Sequence, residues 1–216
     1  MGTAIKICGI TSLEEMKWLA EEAVEYAGIV LFFEESRRCC SLQRAEWIVS
    51  ETKKICNPPK LVAVCVSPTK EQVAIIEEIG FDYLQIHGTL SDEVVHLANL
   101  PIIRAVGYLE ERETVLEVSG KVIGTLYDSA CPGSGVAYDW GTLTVPQESE
   151  KLFFLAGGLT PENVKHAIEV LHPDVVDVSS GVERAGSVGK DKEKILDFIS
   201  EVRGVENGRK GKTNES

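Results

Sequence analysis

Several signatures that would define a function class are missing from this chain. Its six cysteines, Cys8, Cys39, Cys40, Cys56, Cys65 and Cys131, form no C-x-x-C pair, and no signal peptide stands before them. That pattern argues against a disulfide framework and leads to the expectation of a reduced, cytoplasmic protein. No apolar run approaches the ~18 residues of a membrane span, and Lys6 occupies the position where a myristoylation signal needs Ser or Thr, so no membrane partner is expected. Basic residues are outnumbered, 22 Lys and Arg against 34 Asp and Glu for a net charge of -12. No basic block occurs before Arg209-Lys210-Gly211-Lys212, which argues against nucleic acid. Walker and dinucleotide fingerprints are absent, and His87, His96, His166 and His172 lack metal-ligand spacing, so neither a metal nor an organic cofactor is expected.

What is present begins with two apolar runs, residues 151–156 and 174–178, each followed at once by a turn of small residues. The turns are Gly157-Gly158 and Ser179-Ser180-Gly181. On neighbouring parallel strands such turns make a phosphate cradle, because backbone N-H groups can approach an anion closely there. Runs of this kind recur. Residues 4–8, 28–33, 61–66, 83–87, 102–106, 122–127, 152–156 and 175–178 read as eight strands, most of them continuously apolar, as strands covered on both faces should be.

Helical patterns with recognisable starts alternate with these strands. Ser12 with Glu15 and Thr69 with Gln72 read as capping boxes, while Thr160-Pro161 reads as a cap followed by a first-turn proline. The last helix should bury Ile195, Phe198, Ile199 and Val202. Eight such units can close into a barrel or open into a doubly wound sheet. Polar and small residues at strand ends all along the chain, Cys8, His87, Asp128, Gly157 and Ser179, favour the barrel, which gathers every strand end over one pocket. The expectation is a single-domain (β/α)8 TIM barrel over residues 1–203, with 204–216 a polar, disordered tail.

Two residues suit acid and base chemistry. Cys8 ends the first strand with Gly9 behind it, so its thiol should face the barrel mouth, where a lowered pKa would supply a thiolate base. Asp128 closes the sixth strand ahead of a loop too long for a tight cap, and a carboxyl there could act as general acid. Arg38, beside Arg37, offers a planar fork for a carboxylate. The other cysteines, Cys39, Cys40, Cys56 and Cys65, read as buried packing.

Taken together, the motifs resemble the phosphoribosylanthranilate isomerase family of tryptophan biosynthesis. They are Lys6-Ile7-Cys8-Gly9-Ile10-Thr11, Gln85-Ile86-His87-Gly88, Leu126-Tyr127-Asp128, Gly133-Ser134-Gly135 through Asp139-Trp140, Ala156-Gly157-Gly158-Leu159, and Asp177-Val178-Ser179-Ser180-Gly181-Val182-Glu183 with Gly189-Lys190-Asp191. The resemblance implies an Amadori rearrangement of N-(5-phosphoribosyl)anthranilate, with Asp128 as acid, Cys8 as base and no cofactor. It implies Arg38 at the anthranilate carboxylate, Asp177 at substrate hydroxyls, His87 in the pocket wall, and Gly157, Gly158, Ser180 and Gly181 at the phosphate.

The chain departs from the family twice, with Arg37 in place of a proline and Val136 in place of a lysine. The first departure leaves Arg37 and Arg38 as alternatives for the carboxylate clamp. Competing readings are the related isomerase of histidine biosynthesis, whose first strand ends in aspartate, a dual-specificity enzyme, and a non-catalytic phosphosugar-binding barrel. The partner is a small phosphorylated molecule, and the chain is expected to be a monomer or homodimer.

Overall fold

The computed structural model describes residues 2–107, 120–128 and 151–212, the last seven of these by backbone alone. Eight parallel strands close into a barrel in sequence order, β1 (Ala4–Cys8), β2 (Tyr26–Val30), β3 (Lys60–Val66), β4 (Tyr83–His87), β5 (Ile102–Gly107), β6 (Val122–Asp128), β7 (Leu152–Leu155) and β8 (Val175–Val178). Closure is made by β1 on β8, where Lys6 stands opposite Asp177. The barrel expected from the strand ends is therefore the fold observed.

The apolar side chains form two bodies. One fills the shell between strands and helices and includes Ile7, Ile29, Leu84, Val176 and Phe198. The other lies inside the barrel and is built from Val62, Val64, Ile103, Ala105, Leu126, Phe154 and Val175. Strand residues two apart share a face. Lys6 and Cys8, Gln85 and His87, and Leu126 and Asp128 thus form inward-facing pairs, the second member of each lining a cavity at the C-terminal ends of the strands.

Helices α1 (Leu13–Glu21), α2 (Leu42–Thr52), α3 (Lys70–Ile79), α4 (Asp92–Leu97), α5 (Val164–Leu171) and α6 (Lys192–Lys212) are the α-helices among the described residues. Both expected capping boxes are present: Ser12 with Glu15 at α1, and Thr69 with Gln72 at α3. Ile195, Phe198, Ile199 and Val202 of α6 are buried, as their spacing requires. The helix continues to Lys212, through most of the segment read as a tail, and residues 213–216 lie outside the described residues. Among the described residues no helix is long and apolar enough to cross a membrane.

Three local expectations differ from the structure. β2 runs Tyr26–Val30 rather than 28–33, because Phe32 adopts a φ of 58° and ends the ladder, while Tyr26 is already paired with Lys6 and Lys60. α5 is capped by Asn163, not Thr160; residues 161–163 form a turn in which Asn163 Oδ1 accepts from Thr160 N at 2.8 Å. Of the cysteines read as packing, Cys40 and Cys65 are buried, Cys39 is partly buried, and Cys56 is exposed in the connection after α2.

Candidate active site

The cavity over the barrel has a volume of about 710 Å³. It is lined by Cys8, Arg37, Arg38, His87, Asp128, Gly157, Gly158, Asp177 and Ser180, so eight of the nine residues assigned from sequence meet in one place, with Arg37 beside them. Gly181, the ninth, lies outside the lining. A Cβ there would fall 2.0 Å from the Leu159 carbonyl oxygen, so glycine is what lets the turn after β8 press against the turn after β7.

Each turn is anchored by a side chain of its own. Asn163 Nδ2 donates to the Gly158 carbonyl at 2.9 Å, holding a turn whose two glycines both have positive φ. Ser179 Oγ donates to the Cys8 carbonyl at 3.0 Å, joining the end of β8 to the end of β1. Among the described residues none accepts from the N-H groups of Gly157, Gly158, Ser180 or Gly181. Such a nest of unengaged donors suits an anion.

Around the rim, Glu183 collects three cations. It accepts from Arg38 Nε at 2.5 Å, from Arg37, and from Lys190 Nζ at 3.3 Å. Burial works to push its carboxyl up, but the Arg38 hydrogen bond and the charges of Lys190, Arg38 and Arg37 hold it below the ordinary carboxylate range. The Arg37 side chain is 54% exposed and that of Arg38 12%. Arg38 lies across Gly9, where a Cβ would meet its Cδ at 2.7 Å, so this arginine is the one laid beside Cys8. Lys190 also donates to the Ser179 carbonyl at 3.0 Å and to Ser179 Oγ at 3.2 Å.

Inside the barrel, the fully buried Lys6 ammonium sits 3.0 Å from Asp177 Oδ2. Burial opposes its charge, yet Asp177 and Cys8 outweigh that and raise its pKa. The Cys8 thiol is pushed up by burial, with Lys6 and Lys190 pulling the other way. The expectation of a lowered Cys8 pKa is therefore not met, because desolvation at the barrel floor exceeds the attraction of the nearby ammonium groups. His87 is lowered to about 4 by burial and by the charges of Lys6 and Arg104, so it is neutral at ordinary pH and pairs with Gln85 Nε2 at 2.8 Å. Among the described residues, the buried acceptors Asp177 Oδ1 and Gln85 Oε1 inside the barrel have no hydrogen-bond partner. Both residues line the cavity.

The arrangement can do proton-transfer chemistry on a small anion: a thiol and a carboxyl on different strands, a nest of N-H donors to one side, an arginine to the other. Among the described residues no cluster of His, Cys, Asp and Glu suits a metal ion. The sequence motifs in 129–150, including Gly133-Ser134-Gly135, Val136 and Asp139-Trp140, lie outside the described residues.

Comparison with known proteins agrees with this geometry. The family model described as N-(5'phosphoribosyl)anthranilate (PRA) isomerase matches residues 5–201. A relative from Streptococcus mutans named N-(5'-phosphoribosyl)anthranilate isomerase is 39% identical over 202 residues, 93% of this chain and 99% of its own length. The crystal structure of phosphoribosyl anthranilate isomerase from Thermotoga maritima superposes with a TM-score of 0.80 at 32% identity, covering 94% of this chain and 99% of the other. A phosphoribosyl anthranilate isomerase structure in complex with reduced 1-(o-carboxyphenylamino)-1-deoxyribulose 5-phosphate superposes with a TM-score of 0.77 at 32% identity, covering 94% and 99%. With a match across nearly its whole length, the chain belongs to the N-(5'-phosphoribosyl)anthranilate isomerase family.

Proposed function

We propose that this chain isomerises N-(5-phosphoribosyl)anthranilate to 1-(2-carboxyphenylamino)-1-deoxyribulose 5-phosphate in tryptophan biosynthesis, with Asp128 as general acid and Cys8 as general base. The observation that carries the assignment of roles is that Cys8 at the end of β1 and Asp128 at the end of β6 line the same cavity as the turns after β7 and β8.

The protonated Asp128 carboxyl gives its proton to the ribose ring oxygen. The C1-O bond breaks, and the anilino nitrogen lone pair forms a protonated Schiff base at C1. Cys8 thiolate then takes the C2 proton, and that electron pair flows to nitrogen to give the enolamine, which tautomerises to the ketone at C2. Each transfer is of the general acid-base kind, and neither changes an oxidation state of the protein.

Binding follows the same map. The N-H groups of Gly157, Gly158, Ser180 and Gly181 take the phosphate, with Gly181 also allowing the close packing that brings the turns together. Arg38 takes the anthranilate carboxylate, a choice over Arg37 supported by its burial and its place beside Cys8. Asp177 takes substrate hydroxyls through its unpartnered Oδ1, and neutral His87 forms part of the wall. Residues 1–203 are taken as the catalytic barrel, working in the cytoplasm as monomer or homodimer.

The test generates phosphoribosylanthranilate in situ, adds the protein and follows loss of substrate fluorescence against a Cys8→Ala control. Loss that depends on Cys8 is expected. Equal rates for the two proteins would overturn the role given to Cys8.

A further inference from the structure

We propose that Lys6 is the positioning residue for the base: its buried ammonium faces the Cys8 sulfur as well as Asp177 and favours the thiolate. The proposal rests on the assignment of Cys8 as base and extends it to a fully buried residue beneath the cavity lining.

The geometry comes from β1 and its two neighbours. Lys6 and Cys8 are two residues apart on one strand, so both project into the barrel. Lys6 is opposite Asp177 on β8, and Cys8 is opposite Gly28 on β2. Gly28 has no side chain, and that gap is where the two groups converge: a Cβ there would lie 3.0 Å from Cys8 Sγ and 3.1 Å from Lys6 Nζ. Any other residue at this position would press a Cβ against both groups.

The ammonium has three donors, and Asp177 Oδ2 at 3.0 Å accounts for one. The surrounding barrel interior is Val62, Val64, Ile103, Ala105, Leu126 and Phe154, with no water-filled mouth at this depth, since Lys6 is 0% exposed. A salt bridge to Asp177 alone would be an expensive ornament in such a place, because a buried ion pair gains little net stability over apolar packing. A lysine that also faces a thiol has a chemical use there. The charged and titratable groups around Cys8 are Lys6 on its own strand, Asp177 on β8, Lys190 beyond it, Arg38 over Gly9, and His87 and Asp128 across the cavity. Lys6 and Lys190 favour the thiolate and Asp177 opposes it, while His87 carries no charge at ordinary pH.

If Lys6 served only to neutralise Asp177, removing both charges together would leave Cys8 much as it was with Asp177 removed alone. The experiment compares the wild type, Asp177→Asn and the double variant Asp177→Asn/Lys6→Met. Alkylation of the Cys8 peptide by iodoacetamide is followed by mass spectrometry against pH, with circular dichroism to confirm folding. Asp177→Asn should move the alkylation midpoint down, and adding Lys6→Met should move it up again by about one pH unit or more, the scale of losing a nearby opposite charge. Coincident midpoints for the two variants would overturn the proposal.

Gly28→Ala supplies an independent reading that keeps every charge. It should raise the midpoint by separating Nζ from Sγ, and an unchanged midpoint would count against the contact. Because alkylation needs no turnover, the two failures are told apart: full activity in Cys8→Ala would remove the base, and with it the role of Lys6 in catalysis, whereas coincident midpoints would remove the coupling between Lys6 and Cys8 and leave the base assignment standing.

Discussion

Two clusters of buried charge flank the cavity, and they are finished differently. At the rim, Glu183 has both carboxylate oxygens engaged, by Arg38, Arg37 and Lys190, and Lys190 is further bound to Ser179. Inside the barrel, Lys6 and Asp177 meet through one oxygen, and Asp177 Oδ1 and Gln85 Oε1 have no partners among the described residues. A buried acceptor without a donor costs free energy, and two of them facing one cavity offer a ligand places to donate. The saturated cluster holds parts of the site in place, and the unsaturated one supports the substrate contact proposed for Asp177.

That contrast predicts where each substitution will be felt. The largest effect should come on the catalytic side: Asp128→Asn should lower kcat by ~100- to 10,000-fold with phosphate binding retained, checked by steady-state kinetics and titration with inorganic phosphate. Near-normal turnover would remove Asp128 from the mechanism. At the rim, Glu183→Gln leaves Lys190 buried beside a neutral amide and should cost about 3 kcal/mol in urea unfolding while kcat stays within a few-fold. A collapse of kcat with stability intact would show that the rim cluster is not mere support.

A third prediction concerns acid. His87 has a pKa of about 4 in the fold against an unfolded value near 6.5, so between those values the unfolded chain binds more protons than the native one. Stability from this group is therefore present above pH 6.5 and falls by about 3 kcal/mol as pH drops to 4. Replacing His87 with Gln should flatten the dependence of Tm on pH in that window, and an unchanged slope would show that His87 is not held neutral.

Smaller effects separate the arginines. Arg38→Ala should raise KM ~10- to 100-fold with little change in kcat, the scale of a charge-assisted hydrogen bond to a carboxylate, whereas Arg37→Ala, with its side chain half in water, should change KM by ~2-fold or less. The reverse order in KM measurements would transfer the clamp to Arg37.

Much of this was legible in the residues themselves. β1, β4 and β8 have the ends that their apolar runs indicated, and both capping boxes formed, because these features depend on local periodicity and on hydroxyls within three residues of their targets. β2 slipped because its apolar run continues through Phe32 and Phe33, which leave the ladder for a turn and the cavity wall. Lys6 was legible only as a letter of a motif: nothing local tells a buried lysine from a solvated one, since its counter-ion lies 171 residues away in sequence. Glu183 escaped for the same reason, its arginine partners lying 145 and 146 residues away, whereas the partners of Asn163, Gly158 and Thr160, are local and within reach of a closer reading of the turn.

Barrel closure also sets an order of events during synthesis. Lys6 is synthesised 171 residues ahead of the carboxylate that neutralises it, which arrives only with β8. Until then the lysine is better solvated outside than enclosed between β1 and β2, so a nascent half-barrel has reason to keep its first strand exposed. The pairing that closes the barrel thus ties burial of the lysine to the arrival of β8: a chain that stopped short of Asp177 would enclose an uncompensated charge at its centre.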